Sequence, residues 1–253
     1  MRLKDKVAIV TGGGSGFGEG IAGRFAAEGA RVVVADIDLA GAARVAEAIG
    51  RAGGTAKAVR VDVSRADDTK KMVAAATDGW GRLDILVNNA GVSHVNGPML
   101  GVDEATFDRV FAVNVKSIYL AAIEAVPVFR RHGGGVILNT ASTAGLRPRP
   151  GLVWYNGSKG AAITLTKAMA VELAPEKIRV NCLCPVAGDT PLLATFMGTD
   201  TPEKRAQFKA SIPLGRLSTP ADIANAALFL CSDEAEFITG VAFEVYGGRC
   251  ISG

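Results

Sequence analysis

Histidine, cysteine and aromatic side chains are scarce in this chain, and each scarcity closes off a class of chemistry. The two histidines, His94 and His132, stand far in sequence from the four cysteines, Cys182, Cys184, Cys231 and Cys250. Cys182-x-Cys184 has no second pair to complete a zinc site, so no metal is expected and the thiols read as reduced and packed. An excess of one charge is missing as well. The 28 basic and 25 acidic residues leave +3, scattered along the chain, which argues against nucleic acid or an anionic membrane surface as partner. The densest basic spots, Arg130-Arg131-His132 and Arg147-Pro148-Arg149, lie beside Gly or Pro and read as solvated loops or helix ends. No apolar run approaches the ~20 residues that span a bilayer. The N-terminal segment carries Arg2, Lys4, Asp5 and Lys6 ahead of a short apolar run, unlike a secretory leader. A cytoplasmic location is the expectation. Linker-like stretches and internal repeats are absent too, so one domain is expected over residues 1–253.

What is present is small and aliphatic. Hydrophobic residues make up 49% of the chain against 6% aromatics, the composition of buried parallel strands covered by helices. Short β-branched runs at Val7–Val10, Arg31–Ala35, Ala58–Val61, Ile85–Val87, Val136–Leu138, Ile178–Leu183 and Val241–Val245 read as strands. Helical stretches begin between them near Gly18, Leu39, Arg65, Asp103, Trp154 and Pro220, the last with Thr219 placed to cap it. This alternation implies an α/β fold: a doubly wound, mostly parallel seven-stranded Rossmann-type sheet flanked by helices. The longest break, Asp189–Pro213, is rich in Thr, Pro and Gly yet holds Leu192, Leu193, Phe196 and Met197. A lid over a ligand has this character, as does a surface excursion packed by its own side chains.

The first strand runs into Thr11-Gly12-Gly13-Gly14-Ser15-Gly16-Phe17-Gly18 and then a helix. Glycines there let the backbone approach a pyrophosphate, and the helix N-terminus offers unpaired N–H groups to it. The literal G-x-G-x-x-G at Gly18–Gly23 lies inside the helix and is a register accident. Asp36 ends the second strand, where a carboxylate accepts hydrogen bonds from adenosine ribose hydroxyls and repels a 2′-phosphate. Ile37 follows it and no basic residue sits in the glycine turn, so NAD is preferred over NADP.

Tyr155-Asn156-Gly157-Ser158-Lys159 places a phenol and an ammonium one helical turn apart on one face. An ammonium about 5 Å away would lower the phenol's pKa by roughly two units, suiting it to donate a proton to an alkoxide. Ser142, after the strand Val136–Leu138, lies where ligands bind in open α/β sheets.

These motifs, in this order over nearly the whole chain, resemble the short-chain dehydrogenase/reductase family. The resemblance implies a tetrad of Asn114, Ser142, Tyr155 and Lys159. Tyr155 would be the acid/base, Lys159 would lower its pKa and hold the ribose, Ser142 would orient the substrate oxygen, and Asn114 would fix a water in a proton relay. It further implies cofactor contacts at Gly12, Ser15, Gly16, Phe17 and Gly18, at Asp36, Asp62 and Val63, at Asn88, Ala90 and Gly91, and at Pro185, Val186 and Thr190. Two positions depart from the family: Val186 where a glycine usually follows the proline, and Tyr246 where an acidic residue often precedes Gly247-Gly248. The expected substrate pocket comprises His94, Thr143, Trp154, Phe196 and Met197. The implied function is NAD-dependent interconversion of a small secondary alcohol and a ketone in a homotetramer. A 3-oxoacyl-thioester reductase using NADPH is the rival within enzymes, and a non-catalytic dinucleotide-binding sensor or scaffold is the rival outside them.

Overall fold

The computed structural model describes residues 1–199 and 201–251; Asp200, within the expected lid, lies outside them. Seven strands form one sheet: β1 (Val7–Thr11), β2 (Arg31–Asp36), β3 (Thr55–Arg60), β4 (Ile85–Asn88), β5 (Gly135–Thr140), β6 (Ile178–Pro185) and β7 (Ala242–Val245). Their order is β3-β2-β1-β4-β5-β6-β7, and every pairing is parallel. The sheet is thus wholly parallel, where a mostly parallel one was expected.

The pleat explains why β1 is apolar throughout. Ala8 and Val10 point into one core with Ile21, Phe25, Val32, Ile223 and Leu228. Val7 and Ile9 point to the other face, among Met72, Phe129, Ile137 and Ile178. The first face is covered by α1 (Gly16–Ala27), α2 (Leu39–Arg51) and, later in the chain, a helix over Pro220–Cys231; α3 (Ala66–Trp80) lies on the second. Phe25 and Phe129 are fully buried, one in each layer.

A long helical rod follows β4. It comprises α4 (Glu104–Phe111), a single π-helical turn over Ala112–Lys116, and α5 (Ser117–Arg131). At 28 residues it is long and apolar enough to cross a membrane by length and composition, which the short apolar runs did not suggest. Here α5 packs Ala121, Ala125 and Phe129 into the second core. After β5 come α6 (Thr143–Leu146) and α7 (Val153–Leu173).

The break after β6 holds more structure than its composition indicated. It contains α8 (Leu193–Met197) and α9 (Pro202–Ala210), the latter started by the Thr201 hydroxyl accepting from Lys204 N–H, with Pro202 in the first turn. Then α10 (Pro220–Cys231) opens with a reciprocal cap between Thr219 and Asp222. β3 also begins earlier than its apolar run: Thr55-Ala56-Lys57 pairs with Arg31–Val33 although this edge is half-exposed. Because all strands run one way, their C-terminal ends meet along a single rim, at the crevice where the order reverses between β1 and β4.

Candidate active site

At the rim, β1 and β4 are bound through their turns. The Thr11 hydroxyl accepts from Asn89 N–H at 2.9 Å and Ala90 N–H at 3.0 Å, while Asn89 Nδ2 donates to Thr11 O at 2.9 Å. A Cβ on Gly12 would stand 2.9 Å from Ala90 Cα, and Gly12 has φ of +63°, so only glycine fits between the two turns. Asp36 is held from two sides, by Gly14 N–H on Oδ2 at 2.9 Å and Asp38 N–H on Oδ1 at 3.0 Å. The guanidinium touching the glycine turn is that of Arg44, which donates to Gly14 O at 2.9 Å and is itself paired with Glu19 at 2.7 Å.

These elements wall a cavity of about 630 Å³ that runs from Asp36 to Lys159. Of the expected cofactor residues, Gly12, Ser15, Gly16, Phe17, Asp36, Asp62, Val63, Ala90, Gly91, Tyr155, Lys159, Pro185, Val186 and Thr190 line it. Gly18 and Asn88 do not. Gly18 sits in the first turn of α1 so close to the Gly12 carbonyl that any side chain would collide. Asn88 turns into the sheet and donates to Asn139 Oδ1 at 2.9 Å; Asn139 in turn donates to Thr166 on α7. The neighbouring Asn89 lines the cavity instead. In a strand, adjacent side chains face opposite sides, which separates these two asparagines.

The chemical end is built from β5, α6 and α7. Ser142 caps α6, its Oγ accepting from Ala144 N–H at 3.1 Å. Tyr155 is 5% exposed, and burial pushes its phenol up to about 12, with a hydrogen bond to Ser142 pulling the other way. Lys159 is buried too, which pushes its amine down to about 8; its Nζ donates to Thr140 O at 2.7 Å and lies 5.8 Å from the Tyr155 ring centroid. This corrects the expectation from spacing alone. Desolvation dominates both groups, and the ammonium does not bring the phenol below its ordinary value.

Asn114 stands in the π-helical turn and is 3% exposed. Its Oδ1 accepts from Val92 N–H at 2.9 Å, and its Nδ2 donates to Val92 O at 2.9 Å and Ser158 Oγ at 3.0 Å. The side chain therefore clasps the loop after β4 to α7, immediately beside Lys159 in sequence. A Cβ on Gly91 would lie 3.3 Å from Lys159 Nζ and 3.4 Å from Asn114 Oδ1, so both groups converge on that glycine.

A second cavity of about 560 Å³ shares Ser142, Tyr155, Ala187 and Phe196 with the first. Thr143 and Phe196 line it as expected, the Phe196 ring 5.1 Å from that of Tyr155. His94, Trp154 and Met197 face neither cavity. His94 is 3% exposed with Nδ1 against its neighbour's carbonyl. Trp154 turns outward, edge-on to Phe107, and donates to Met99 O at 3.2 Å. Met197 is buried with Val186, Leu193, Ile212 and Leu217. Sequence reasoning missed Arg149 and Arg249, which join Arg147 in the wall of this cavity; Arg149 is half-buried, not the solvated loop residue that its Pro-flanked setting suggested.

The profile of a family described as enoyl-(acyl carrier protein) reductase matches residues 12–249. The chain is a short-chain dehydrogenase/reductase. It is 51% identical to 4-formylbenzenesulfonate dehydrogenase of Comamonas testosteroni, over 99% of this chain and 100% of that protein. It is 40% identical to 2-(S)-hydroxypropyl-CoM dehydrogenase 3 of Xanthobacter autotrophicus, over 98% of this chain and 97% of the relative. Among solved structures, 3-ketoacyl-(acyl-carrier-protein) reductase of Brucella melitensis, complexed with NADH, superposes with a TM-score of 0.92 at 52% identity, covering 98% of this chain and 99% of that one.

As a short-chain dehydrogenase/reductase it belongs to oxidoreductases that bind a nicotinamide dinucleotide. The residues fit such a group. The close approach of Gly12 to Ala90 leaves backbone rather than side chains along the phosphate end, and a carboxylate waits on the same rim at the C-terminal end of β2. The two departures from the family pattern also find their place. Val186, 4% exposed, forms the floor of the cluster under α8, and Tyr246 packs against the same cluster. Both substitutions enlarge the apolar base on which the segment after β6 rests.

Proposed function

We propose that this short-chain dehydrogenase/reductase interconverts a small secondary alcohol and a ketone with NAD(H), using Tyr155 as acid/base. The observation that carries the reading is the junction of the two cavities at Ser142 and Tyr155: a hydroxyl and a phenol stand where a dinucleotide and a carbonyl compound would meet. When bound, the nicotinamide supplies or accepts the hydride. In the reducing direction Tyr155, protonated at neutral pH because burial holds it near 12, gives its Oη proton to the developing alkoxide. Ser142 Oγ orients the substrate oxygen. Lys159, poised near 8, can give or take a proton at Nζ behind the phenol and hold the ribose. Asn114 fixes Lys159's surroundings through Ser158 and Val92, and in the family's pattern seats the relay water.

NAD is preferred because Asp36 presents a carboxylate that no basic residue pairs with among the described residues, Arg44 being committed to Glu19. The segment 189–213 acts as a lid within a single domain: Thr190 and Phe196 face the cavities, while its own apolar cluster keeps it on Val186. Exposed Tyr119 and Ile123, one turn apart on α5, and Phe237 ahead of β7 supply the apolar faces for a homotetramer of a cytoplasmic enzyme.

The second reading, a 3-oxoacyl-thioester reductase, is favoured by the 52% identity to the Brucella protein. A screen of cyclic, aromatic and aliphatic secondary alcohols with NAD⁺, beside an acetoacetyl thioester with NADH and NADPH, separates the two. Tyr155→Phe is expected to keep NADH binding and lower turnover by about 10²-fold or more. Undiminished turnover would remove Tyr155 from the mechanism.

A further inference from the structure

We infer that the substrate carries an anionic group, a carboxylate or a sulfonate, remote from its reacting carbon, and that Arg149 and Arg249 receive it in the second cavity. The inference rests on the alcohol/ketone reading above and names the class of compound that reading leaves open. Three guanidiniums line the cavity that begins at Tyr155, and among the described residues no carboxylate lines it. The Arg149 side chain has neither an ion pair nor a hydrogen-bond acceptor among the described residues, although it is half-buried. Burial holds its pKa below the ordinary arginine value, and the like charge of Arg147 adds to that. A cation kept in such surroundings with no counter-charge paired to it among the described residues is matched to an anion arriving with the ligand.

The rest of the wall agrees. Arg249 lies over the Phe208 ring at 5.6 Å and its Nη1 donates to Phe208 O at 3.5 Å, which holds the guanidinium at the cavity wall. Leu152, Phe196 and Phe208 offer apolar surface to a ring-sized body. The Arg149 backbone is fixed relative to the phenol: its carbonyl accepts from Asn156 Nδ2 at 2.7 Å, and Asn156 follows Tyr155 on α7. Arg147 donates to Cys250 O at 3.1 Å and contributes its charge to the same field. A neutral alcohol would need none of these cations. Both carboxylate and sulfonate suit a guanidinium fork, the first by two coplanar oxygens and the second by any two of three.

The test compares reduction of 4-acetylbenzoate, 4-acetylbenzenesulfonate and the neutral methyl 4-acetylbenzoate. The expected result is a kcat/KM for at least one anion about tenfold or more above the ester. Arg149→Gln and Arg249→Gln should each shrink that ratio through KM, and Arg149→Lys should retain part of it. Whichever anion gains more identifies the group. Equal kcat/KM for ester and anions in the wild type, or an equal loss for all three in Arg149→Gln, overturns the inference. Calorimetric binding of benzoate, benzenesulfonate and benzamide in the presence of NADH separates this from failure of the redox reading. Tighter binding of an anion than of the amide, lost in Arg149→Gln, supports the anion site even if no ketone is reduced; equal binding of all three overturns it.

Discussion

Replacing Asp36 by Asn removes one charge from the rim while keeping an oxygen in place, and its effect on cofactor choice can be worked from the geometry. The carboxylate is pinned by Gly14 N–H and Asp38 N–H, so it cannot swing away from a 2′-phosphate. Two unit charges about 4 Å apart at an effective dielectric of about 20 repel by about 4 kcal/mol. Asp36 is half-exposed, and solvent screening reduces this to about 1–3 kcal/mol, or about 5- to 150-fold in an equilibrium. The wild type should therefore favour NADH over NADPH in kcat/KM by a factor in that range, and Asp36→Asn should erase most of it. NADH itself should lose about tenfold or less, because the amide oxygen still accepts one ribose hydroxyl. Raising salt from about 0.01 M to about 1 M should compress the wild-type ratio and leave that of the variant nearly flat. Initial rates with both cofactors at both salt concentrations decide it. Wild-type preference for NADPH, or a ratio indifferent to both substitution and salt, refutes the reasoning.

The pH dependence follows from the two buried groups. Tyr155 near 12 stays protonated through neutral pH, and Lys159 near 8 is an ammonium below that value and an amine above it. Reduction consumes a proton and should fall as pH rises through about 8, while oxidation should rise over the same range; rates in both directions from about pH 6 to about pH 10 check this, and reduction that climbs with pH contradicts it. Thr219→Ala removes the reciprocal cap of α10 and should cost about 1 kcal/mol in urea unfolding. Arg216, paired to Asp222 at 2.5 and 2.8 Å, holds that carboxyl well below the usual range. The stability it adds is present above the unfolded-state value of about 4 and should be lost as pH falls below it; a wild-type midpoint unchanged on acidification would count against this.

The strands were legible because β1, β2, β4 and β5 carry unbroken aliphatic runs and β6 and β7 are rich in apolar residues, and the starts of α2, α4 and α10 coincide with the polar caps Asp38, Asp103 and Thr219. The early part of β3 was not: Thr55-Ala56-Lys57 pairs by backbone alone at a half-exposed edge. Nor was α9, whose Pro202–Ala210 sequence is polar and shows no apolar face. At the site, motif spacing put 14 of the 16 expected cofactor residues on the wall of the first cavity, since strand ends and helix turns set where they point. It erred on Asn88, where the pleat reverses direction, and on His94, Trp154 and Met197, whose orientation depends on distant partners such as Met99 O and Ile212. Burial is the quantity a sequence hides best. A Tyr–Lys pair one turn apart suggests a depressed phenol, and the same pair taken out of water has a raised one. Arg149 was read as solvated for the same reason, while its neighbour Arg147 is exposed as expected.

The π-helical turn at Ala112–Lys116 amounts to one surplus residue inside an otherwise regular rod. Each residue advances an α-helix by about 100°, so deleting Val113 would restore regular winding and change the direction in which Asn114 leaves the rod. Asn114 would then point away from Val92 and Ser158, and the loop after β4 would lose its hold on α7. The insertion acts as a phase setting between the two ends of the rod: α5 stays keyed to the core while Asn114 is dialled toward the rim.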